Sequence, residues 1–304
     1  MNKESLTLRE TESSMEADCI LSVDKLTKHY KNFSLKNVSF QLPRGYIMGF
    51  IGPNGSGKST TIKLIMNLLH RDSGQIKVFG LDNLRHELTI KDRVAFVYDE
   101  NHYYDELTIR EMAKFVSSFY KHWETPTFNK HLKDFGLNPR QKIKELSKGM
   151  KMKFSLAIAL SHKAELLIMD EPTAGLDPLV RAELLDILSS LIQDERKSVF
   201  FSTHITSELD KIADFVTFLH NGKIVVSAPK DDLLDKYGIV KGANNLLNEE
   251  TKPLFVGIKT NKFGFEGLVR DNKEAHRLFN ERAIIEKPSL EDIMLYTVKG
   301  EQHV

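Results

Sequence analysis

Short apolar runs bounded by turn residues recur along most of the chain. The stretches 46–51, 165–172 and 198–204 are apolar except towards their ends, which is typical of strands buried on both faces of a parallel sheet. Residues 20–23 and 34–42 instead alternate apolar and polar side chains, which predicts strands with one exposed face. The pattern therefore predicts an α/β protein that contains two kinds of strand.

Segments with helical spacing separate several of these runs. Residues 60–69 carry apolar side chains three and four positions apart, as one face of a helix requires. Thr108 followed by Glu111 is a capping box, which predicts the start of a helix. Ser147 is placed to cap an apolar helix over residues 154–160, because its hydroxyl can accept a bond from a free backbone N–H.

The two ends of the chain differ from its middle. Residues 1–18 are polar and lack the apolar core of a signal peptide, so we expect a disordered leader there. Residues 19–237 carry the strong strand and helix patterns and form one predicted domain. Residues 238–304 contain only short strand and helix signals and no catalytic constellation, which predicts a small α+β appendage.

Composition excludes several classes of protein. Of 304 residues, 41% are hydrophobic and 28% are charged, which is ordinary for a soluble globular protein. The net charge of +1 gives no global reason to expect nucleic-acid binding. Cys19 is the single cysteine, which excludes an internal disulfide. No run of about 18 apolar residues occurs, so no segment is predicted to span a membrane.

A glycine-rich turn joins the apolar run at 46–51 to the helix at 60–69. It fits the phosphate-binding pattern G-x-x-x-x-G-K-S/T, and its residues are Gly52, Pro53, Asn54, Gly55, Ser56, Gly57, Lys58, Ser59 and Thr60. Backbone N–H groups in such a turn point at an anion at the helix N-terminus. Lys58 is predicted to reach the β- and γ-phosphates, and the Ser59 hydroxyl to ligate Mg²⁺. The turn predicts binding of a nucleoside triphosphate.

Polar residues follow two of the buried runs. Asp170 and Glu171 lie at the end of the stretch at 165–172. An acid at the C-terminal end of a strand beside a phosphate loop can hold Mg²⁺, so Asp170 is a predicted metal ligand. Glu171 is placed to polarise an attacking water. His204 ends a further run and is a candidate γ-phosphate contact at the edge where α/β sheets bind ligands, although a lone histidine is more often structural.

Aromatic residues occur at two informative places. Tyr30 lies between the first two predicted strands and is a better candidate than Phe33 to stack on an adenine face; a simple packing role is an equal alternative. A second, dense group consists of Tyr103, Tyr104, Phe115, Phe119, Tyr120 and Trp123. Such a group is more often core, and the alternative is a groove that binds a partner.

Over about residues 19–237 the chain resembles the ATPase subunit of an ATP-binding-cassette transporter. The matching motifs, in family order, are the adenine-stacking aromatic Tyr30, Walker A at 52–60, the signature at 146–150, Walker B at 166–171, the D-loop at 175–177 and the switch histidine His204. A separate ATPase chain and the segment Pro288–Ile293 further resemble bacterial exporters of antimicrobial peptides, related amphipathic peptides or drugs.

The resemblance implies a P-loop NTPase fold with a mixed sheet core, an antiparallel β-subdomain and a helical subdomain at about residues 100–162. It also implies ATP and Mg²⁺ as cofactors, and ATP hydrolysis that powers export through a separate multi-span membrane permease. Glu171 would be the general base, and His204 would stabilise the transferred charge together with Lys58. The chain would lie at the cytoplasmic face of the cell membrane, with no nucleic-acid partner.

The same resemblance implies a head-to-tail pair of ATPase chains, identical or different, with two ATP molecules sandwiched between them. Lys58, Ser59 and Asp170 of one chain would act with Ser147 and Gly149 of the other. The dipole of the signature helix would then point at the γ-phosphate.

Two departures from the family pattern concern coupling. The expected Q-loop glutamine is Asp99 here, a carboxylate that can still ligate Mg²⁺ or orient water. The signature has Lys148 in place of glycine and Met150 in place of glutamine. Ser147 and Gly149 are retained, so the catalytic core is predicted to be competent.

Three other functions compete with an exporter ATPase. The first is a regulatory or sensing subunit with weak turnover, in which Asp99 and Lys148 would mark the loss of ATPase activity. A soluble cassette protein that acts on ribosomes or DNA is disfavoured, because such proteins usually carry two cassettes or a long coiled coil. A P-loop GTPase is disfavoured because no N-K-x-D segment occurs.

Overall fold

A six-stranded mixed sheet forms the centre of the computed structural model, which describes residues 19–98 and 103–300. Its strands, in spatial order, are β10 (Lys223–Pro229), β9 (Phe215–His220), β3 (Ile47–Ile51), β8 (Ser198–Thr203), β7 (Leu166–Asp170) and β6 (Val94–Val97). All neighbours are parallel except β10, which is antiparallel to β9. Thr203 pairs with Ile51, and Ser202 pairs with Asp170. The C-terminal ends of β3, β7 and β8 therefore meet at one edge.

A second, antiparallel sheet packs against the first. Its order is β2 (Ser34–Pro43), β1 (Cys19–His29), β4 (Ser73–Val78) and β5 (Leu81–Asp82). Phe40 lies between the sheets, with its ring 5.6 Å from that of Phe200 and 5.3 Å from that of Phe50. This contact explains the alternating pattern of β2, because only one of its faces meets the core.

Ten helices surround the sheets in the described part of the chain. They are α1 (Lys58–Ile65), α2 (Glu87–Lys91), α3 (Ile109–Ser117), α4 (Thr125–Asp134), α5 (Lys148–Ala159), α6 (Pro178–Leu191), α7 (Thr206–Ile212), α8 (Lys230–Lys236), α9 (Asn272–Phe279) and α10 (Leu290–Gly300). Helices α3 to α5 share a separate hydrophobic cluster that contains Met112, Phe128 and Phe154. No helix in the described ranges is long and apolar enough to cross a membrane.

The C-terminal segment forms a third sheet. Its antiparallel strands, in order, are β12 (Phe255–Thr260), β13 (Phe265–Val269), β11 (Gly238–Gly242) and β14 (Ile284–Glu286). Helix α10 buries Leu290, Ile293 and Tyr296 in the same hydrophobic cluster as Leu209 of α7 and Phe218 of β9. The core of the central sheet thus continues into this segment.

Local signals for helix ends are confirmed. Thr108 forms the capping box with Glu111, and the Ser147 hydroxyl accepts a bond from the backbone of Met150. Helix α1 ends earlier than predicted because Asn67 adopts a left-handed φ of 54°. Helices α2, α4 and α8 were not predicted, since each carries few apolar residues. The predicted mixed sheet, antiparallel sheet and helical region are all present.

Candidate nucleotide-binding site

The phosphate loop between β3 and α1 depends on its glycines. Gly55 and Gly57 have φ values of 79° and 111°, a region that glycine enters without strain. A Cβ on Gly52 would lie 2.2 Å from the carbonyl oxygen of Leu219. A Cβ on Gly55 would meet nothing within 4 Å, so the loop is open at that point. Its backbone forms the concave shape that anions bind.

Lys58, the first residue of α1, folds back over the loop. Its ammonium nitrogen donates to the carbonyl oxygen of Gly52 at 2.7 Å and lies 3.1 Å from Oε1 of Glu171. The Lys58 side chain is only 5% exposed. A buried cation held against a phosphate loop at a helix N-terminus is a site for an oxyanion. Ser59 follows on the same turn and is exposed.

Ser202 of β8 organises the two predicted carboxylates. Its hydroxyl donates to Oδ1 of Asp170 at 2.6 Å and accepts from the Glu171 N–H at 3.1 Å. Asp170 is buried at the end of β7, and Glu171 begins the following turn with a left-handed φ of 47°. That conformation is strained for glutamate and is common at functional sites. Sequence reasoning missed Ser202, because its role comes from its pairing with Asp170 across the sheet.

His204 completes a row of side chains along the sheet edge. Its Nδ1 lies 2.8 Å from Oε2 of Glu171, whose other oxygen faces Lys58. The structure thus brings together Lys58, Asp170, Glu171 and His204, which the sequence places in three distant segments. The His204 ring is partly exposed, so its second nitrogen is open to a ligand.

The two aromatic candidates lie beside the phosphate loop. Tyr30 is 42% exposed, and its ring lies 6.4 Å from that of Phe33. The Lys28 ammonium lies 5.7 Å from the Tyr30 ring centroid. Phe33 is the ring in contact with the loop, since a Cβ on Gly57 would lie 2.7 Å from its Cζ. The stacking role of Tyr30 stays a prediction.

The signature residues are separate from this row within one chain. Ser147 is exposed at the N-terminus of α5, and Gly149 packs so closely on α6 that a Cβ would lie 3.0 Å from a methyl of Val180. Lys148 reaches over the D-loop, with Nζ 3.2 Å from where a Cβ on Gly175 would stand. Within the described residues, no hydrogen bond joins Ser147 or Gly149 to residues 52–60.

Asp99, the third predicted metal ligand, lies outside the described residues. The two residues that flank this gap are packed against the motifs. Burial raises the pKa of Tyr98, and the negative charge of Asp170 adds to the effect. Tyr103 donates to the Ser155 hydroxyl of α5 at 3.0 Å, and burial raises its pKa to about 12. Tyr98 therefore lies close enough to feel the charge of Asp170, and Tyr103 is bonded to the signature helix.

The donor set fits a magnesium–nucleotide complex. Backbone amides and the Lys58 ammonium provide positive charge for phosphates, while Ser59 and Asp170 provide the hard oxygen ligands that Mg²⁺ prefers. The hydroxyl of Ser56 is buried in the loop without a hydrogen-bond partner, so one polar atom beside the phosphate cradle remains unsatisfied.

Comparison with known proteins places the chain in a family. A family model described as "ABC transporter" matches residues 35–174. The bacitracin transport ATP-binding protein BcrA of Bacillus licheniformis is 34% identical over 217 residues, which cover 70% of this chain and 71% of that protein. The lantibiotic transport ATP-binding protein SrtF of Streptococcus pyogenes is 34% identical over 216 residues, covering 70% and 92% respectively.

Further similarities extend to a resistance protein and to a solved structure. The linearmycin resistance ATP-binding protein LnrL of Bacillus subtilis is 34% identical over 225 residues, 72% of each chain. A solved ATP-binding subunit of an ABC transporter is 29% identical, covers 70% of this chain and 91% of its own, and superposes with a TM-score of 0.62. On these similarities and on the motifs that its sheet edge brings together, the chain belongs to the ABC transporter family as an ATP-binding subunit and is an ATPase.

Proposed function

We propose that this chain hydrolyses ATP at the cytoplasmic face of the membrane to drive export by a separate multi-span permease. The relatives named for bacitracin, lantibiotic and linearmycin support an amphipathic peptide or drug as the cargo. The main support for hydrolysis is the position of the Glu171 carboxylate, which lies 3.1 Å from the Lys58 ammonium and 2.8 Å from Nδ1 of His204.

Nucleotide binding uses the loop and the sheet edge. The amides of residues 52–60 and the Lys58 ammonium hold the β- and γ-phosphates, and the exposed ring of Tyr30 stacks on the adenine. Ser59, Asp170 and Asp99 would hold Mg²⁺. When bound, the metal ion neutralises charge on the phosphate oxygens.

Glu171 serves as the general base for the attacking water. Its carboxylate contacts Lys58 in the structure, so phosphates that engage Lys58 compete for that ammonium and release Glu171 toward water. The Nδ1 of His204 orients the same carboxylate, and its second nitrogen is available to stabilise charge that develops on the γ-phosphate.

The site is completed by a second ATPase chain in a head-to-tail dimer, either identical or different. Ser147 is exposed at the start of α5, where its hydroxyl caps the helix. Ser147 and Gly149 of the second chain then contact the γ-phosphate that Lys58 of the first chain holds. ATP acts as the link that closes the pair.

The permease docks on the helical region. The rings of Tyr104, Phe115 and Phe119 form an exposed row with centroids 5.7 and 5.4 Å apart, and Phe119 is 71% exposed. Exposed aromatic rows of this kind are typical of interface hot spots. Tyr103, beside this row in sequence, is bonded to Ser155 of the signature helix at 3.0 Å, and this contact supports a connection between closure of the ATP site and movement of the permease.

A single substitution tests the catalytic proposal. Glu171→Gln keeps the shape of the side chain and removes its basicity, so ATP binding is retained while turnover falls about 100-fold or more. Turnover is measured by phosphate release and binding by a fluorescent ATP analogue. Glu249→Gln, at an exposed position in the C-terminal segment, is the matched control. Normal turnover in Glu171→Gln contradicts the assigned role, and weak turnover in the wild-type complex with its permease favours a sensing subunit.

A further inference from the structure

Glu208 in α7 is a carboxylate that is almost completely buried. It is 1% exposed, and glutamate is rarely buried without partners. Its Oε2 accepts hydrogen bonds from the hydroxyls of Thr173 at 3.0 Å and Thr203 at 2.9 Å. Both threonines are fully buried. One carboxylate oxygen therefore joins the turn after β7 to the end of β8.

These two threonines are next to the row of site residues. Thr173 follows Glu171 by two positions, and Thr203 directly precedes His204. The Thr203 hydroxyl also accepts a bond from the backbone N–H of Ile205 at 3.0 Å, which fixes the chain on the far side of His204. The chain near Glu171 and the chain before His204 are thus both bound, each through a threonine hydroxyl, to Oε2 of Glu208.

The second carboxylate oxygen of Glu208 is linked to the D-loop through Arg181. Its Oε1 lies 3.4 Å from Nε of Arg181 in α6, and the Arg181 guanidinium donates to the carbonyl oxygen of Leu176 at 3.4 Å. Leu176 is the central residue of the D-loop, residues 175–177. Glu208 therefore connects the stretch from Thr173 to Arg181 with the end of β8, and it does so from a buried position.

Such a connection matters because the Glu171–His204 hydrogen bond requires two loops to be placed precisely. Glu171 stands on a left-handed backbone, and its carboxylate meets His204 Nδ1 at 2.8 Å across two loops. A shift of either loop by a fraction of an ångström lengthens that bond. Misplacement of a reacting group by about 1 Å costs on the order of 100-fold in rate.

We propose that Glu208 is a positioning residue for ATP hydrolysis. By binding Thr173 and Thr203, Glu208 fixes the relative positions of Glu171 and His204. Through Arg181, a shift of the D-loop can alter those positions. This role rests on the proposed function of Glu171 and His204, but Glu208 itself touches neither nucleotide nor water.

The test removes single hydrogen bonds and measures rate and binding separately. Thr203→Val keeps the shape of the side chain and deletes the hydroxyl, so we expect kcat to fall about tenfold while KM for ATP changes less than about twofold. Thr203→Ser retains the hydroxyl, and we expect it to restore kcat to within about threefold of wild type. Glu208→Gln keeps one acceptor oxygen and should show an intermediate loss.

A matched control separates positioning from general stability. Thr297→Val deletes another buried threonine hydroxyl, one that donates to the carbonyl oxygen of Ile293 in α10 at 2.6 Å. It should lower the melting temperature as much as Thr203→Val and leave kcat unchanged. The ring ¹⁵N shifts of His204 give a direct reading, since we expect the Nδ1 signal to change in Thr203→Val and not in Thr297→Val.

Two results would overturn the proposal. One is a kcat within about twofold of wild type in both Thr203→Val and Glu208→Gln; the other is a loss of kcat matched by an equal loss of ATP affinity. Wild type and Glu171→Gln are measured in the same assay. If Glu171→Gln retains turnover, the proposed function fails; if it loses turnover while the Glu208 and Thr203 variants do not, only the positioning role fails.

Discussion

At the scale of single residues, Ser202 supports the chemistry most directly. It is fully buried, and its hydroxyl bonds to Asp170 at 2.6 Å and to the Glu171 N–H at 3.1 Å. Asp170 and Glu171 are visible in the sequence as two acids after an apolar run. What orients them comes from a strand that lies about thirty residues further along the chain and is adjacent only after folding.

We therefore expect Ser202→Ala to lower kcat by at least about tenfold and to weaken Mg²⁺ affinity, because the Asp170 carboxylate and the backbone N–H of Glu171 each lose a hydrogen bond to the Ser202 hydroxyl. The free energy of unfolding should fall by about 1–2 kcal/mol. Ser161→Ala deletes another buried serine hydroxyl, which donates to the carbonyl oxygen of Ala157 at the end of α5. Steady-state ATPase assays and urea unfolding distinguish the two variants, and equal rates in both would contradict the role of Ser202.

At the scale of elements, Glu165 connects three strands of the central sheet, β7, β6 and β3, at their N-terminal ends. It precedes β7, and its carboxylate accepts from Arg93 before β6 at 2.6 Å and from Arg44 before β3 at 2.8 Å. The hydrogen bond from Arg93 holds the pKa of Glu165 below its usual range, and Arg44 lowers it further. A carboxylate with a lowered pKa contributes stability above its unfolded pKa of about 4.3, and that contribution is lost as the pH falls through the folded value.

Glu165→Gln is accordingly expected to reduce the free energy of unfolding by about 1 kcal/mol at pH 7, since the group is partly exposed. Between about pH 5 and pH 3 the wild type should lose this advantage, so the two unfolding curves converge. Urea titrations at pH 7 and pH 4 measure the difference. A gap between wild type and Glu165→Gln that stays constant or widens on acidification would show that the arginine contacts do not stabilise the charged form.

At the scale of the whole molecule, the C-terminal segment is part of the main core. Leu290, Ile293 and Tyr296 of α10 are buried with Leu209 of α7, the helix that also carries Glu208. Helix α10 thus packs directly against the element that follows His204. Domain division at residue 237 stays a prediction, and the shared core argues that the two parts unfold together.

Ile293→Ala is expected to lower the free energy of unfolding of the whole chain by about 2–4 kcal/mol, because it leaves a cavity in a core that both parts share. Phe263→Ala is the control, since Phe263 is 95% exposed at the turn between β12 and β13 and its loss should cost less than about 0.5 kcal/mol. Urea unfolding followed by circular dichroism gives both values. Two separate transitions in the wild type would contradict a shared core.

The sequence predicted features that depend on neighbouring residues and missed those that depend on distant ones. The caps at Thr108 and Ser147 and the apolar strands are local patterns, and they are confirmed. The phosphate loop is also a local pattern, and it lies between a strand and a helix as predicted. Ser202 and Glu208 act through contacts across 32 and 35 residues, so no local pattern marks them. Helix α4 was missed because only Phe128 and Leu132 of its residues are buried.

The central claim is that one chain carries half of each ATP site. Sedimentation equilibrium of Glu171→Gln, with and without the added substitution Ser147→Arg, tests it most directly. For a pair of identical chains, Glu171→Gln with ATP and Mg²⁺ should sediment at twice the 34.8 kDa of the chain. The double variant should still bind ATP and remain at the mass of one chain. The longer, charged side chain introduced at position 147 would collide with the ATP held by a second chain, whereas the ATP bound to the same chain does not contact position 147. Equal dimerisation of the double variant, or loss of ATP binding by its single chain, would contradict the claim.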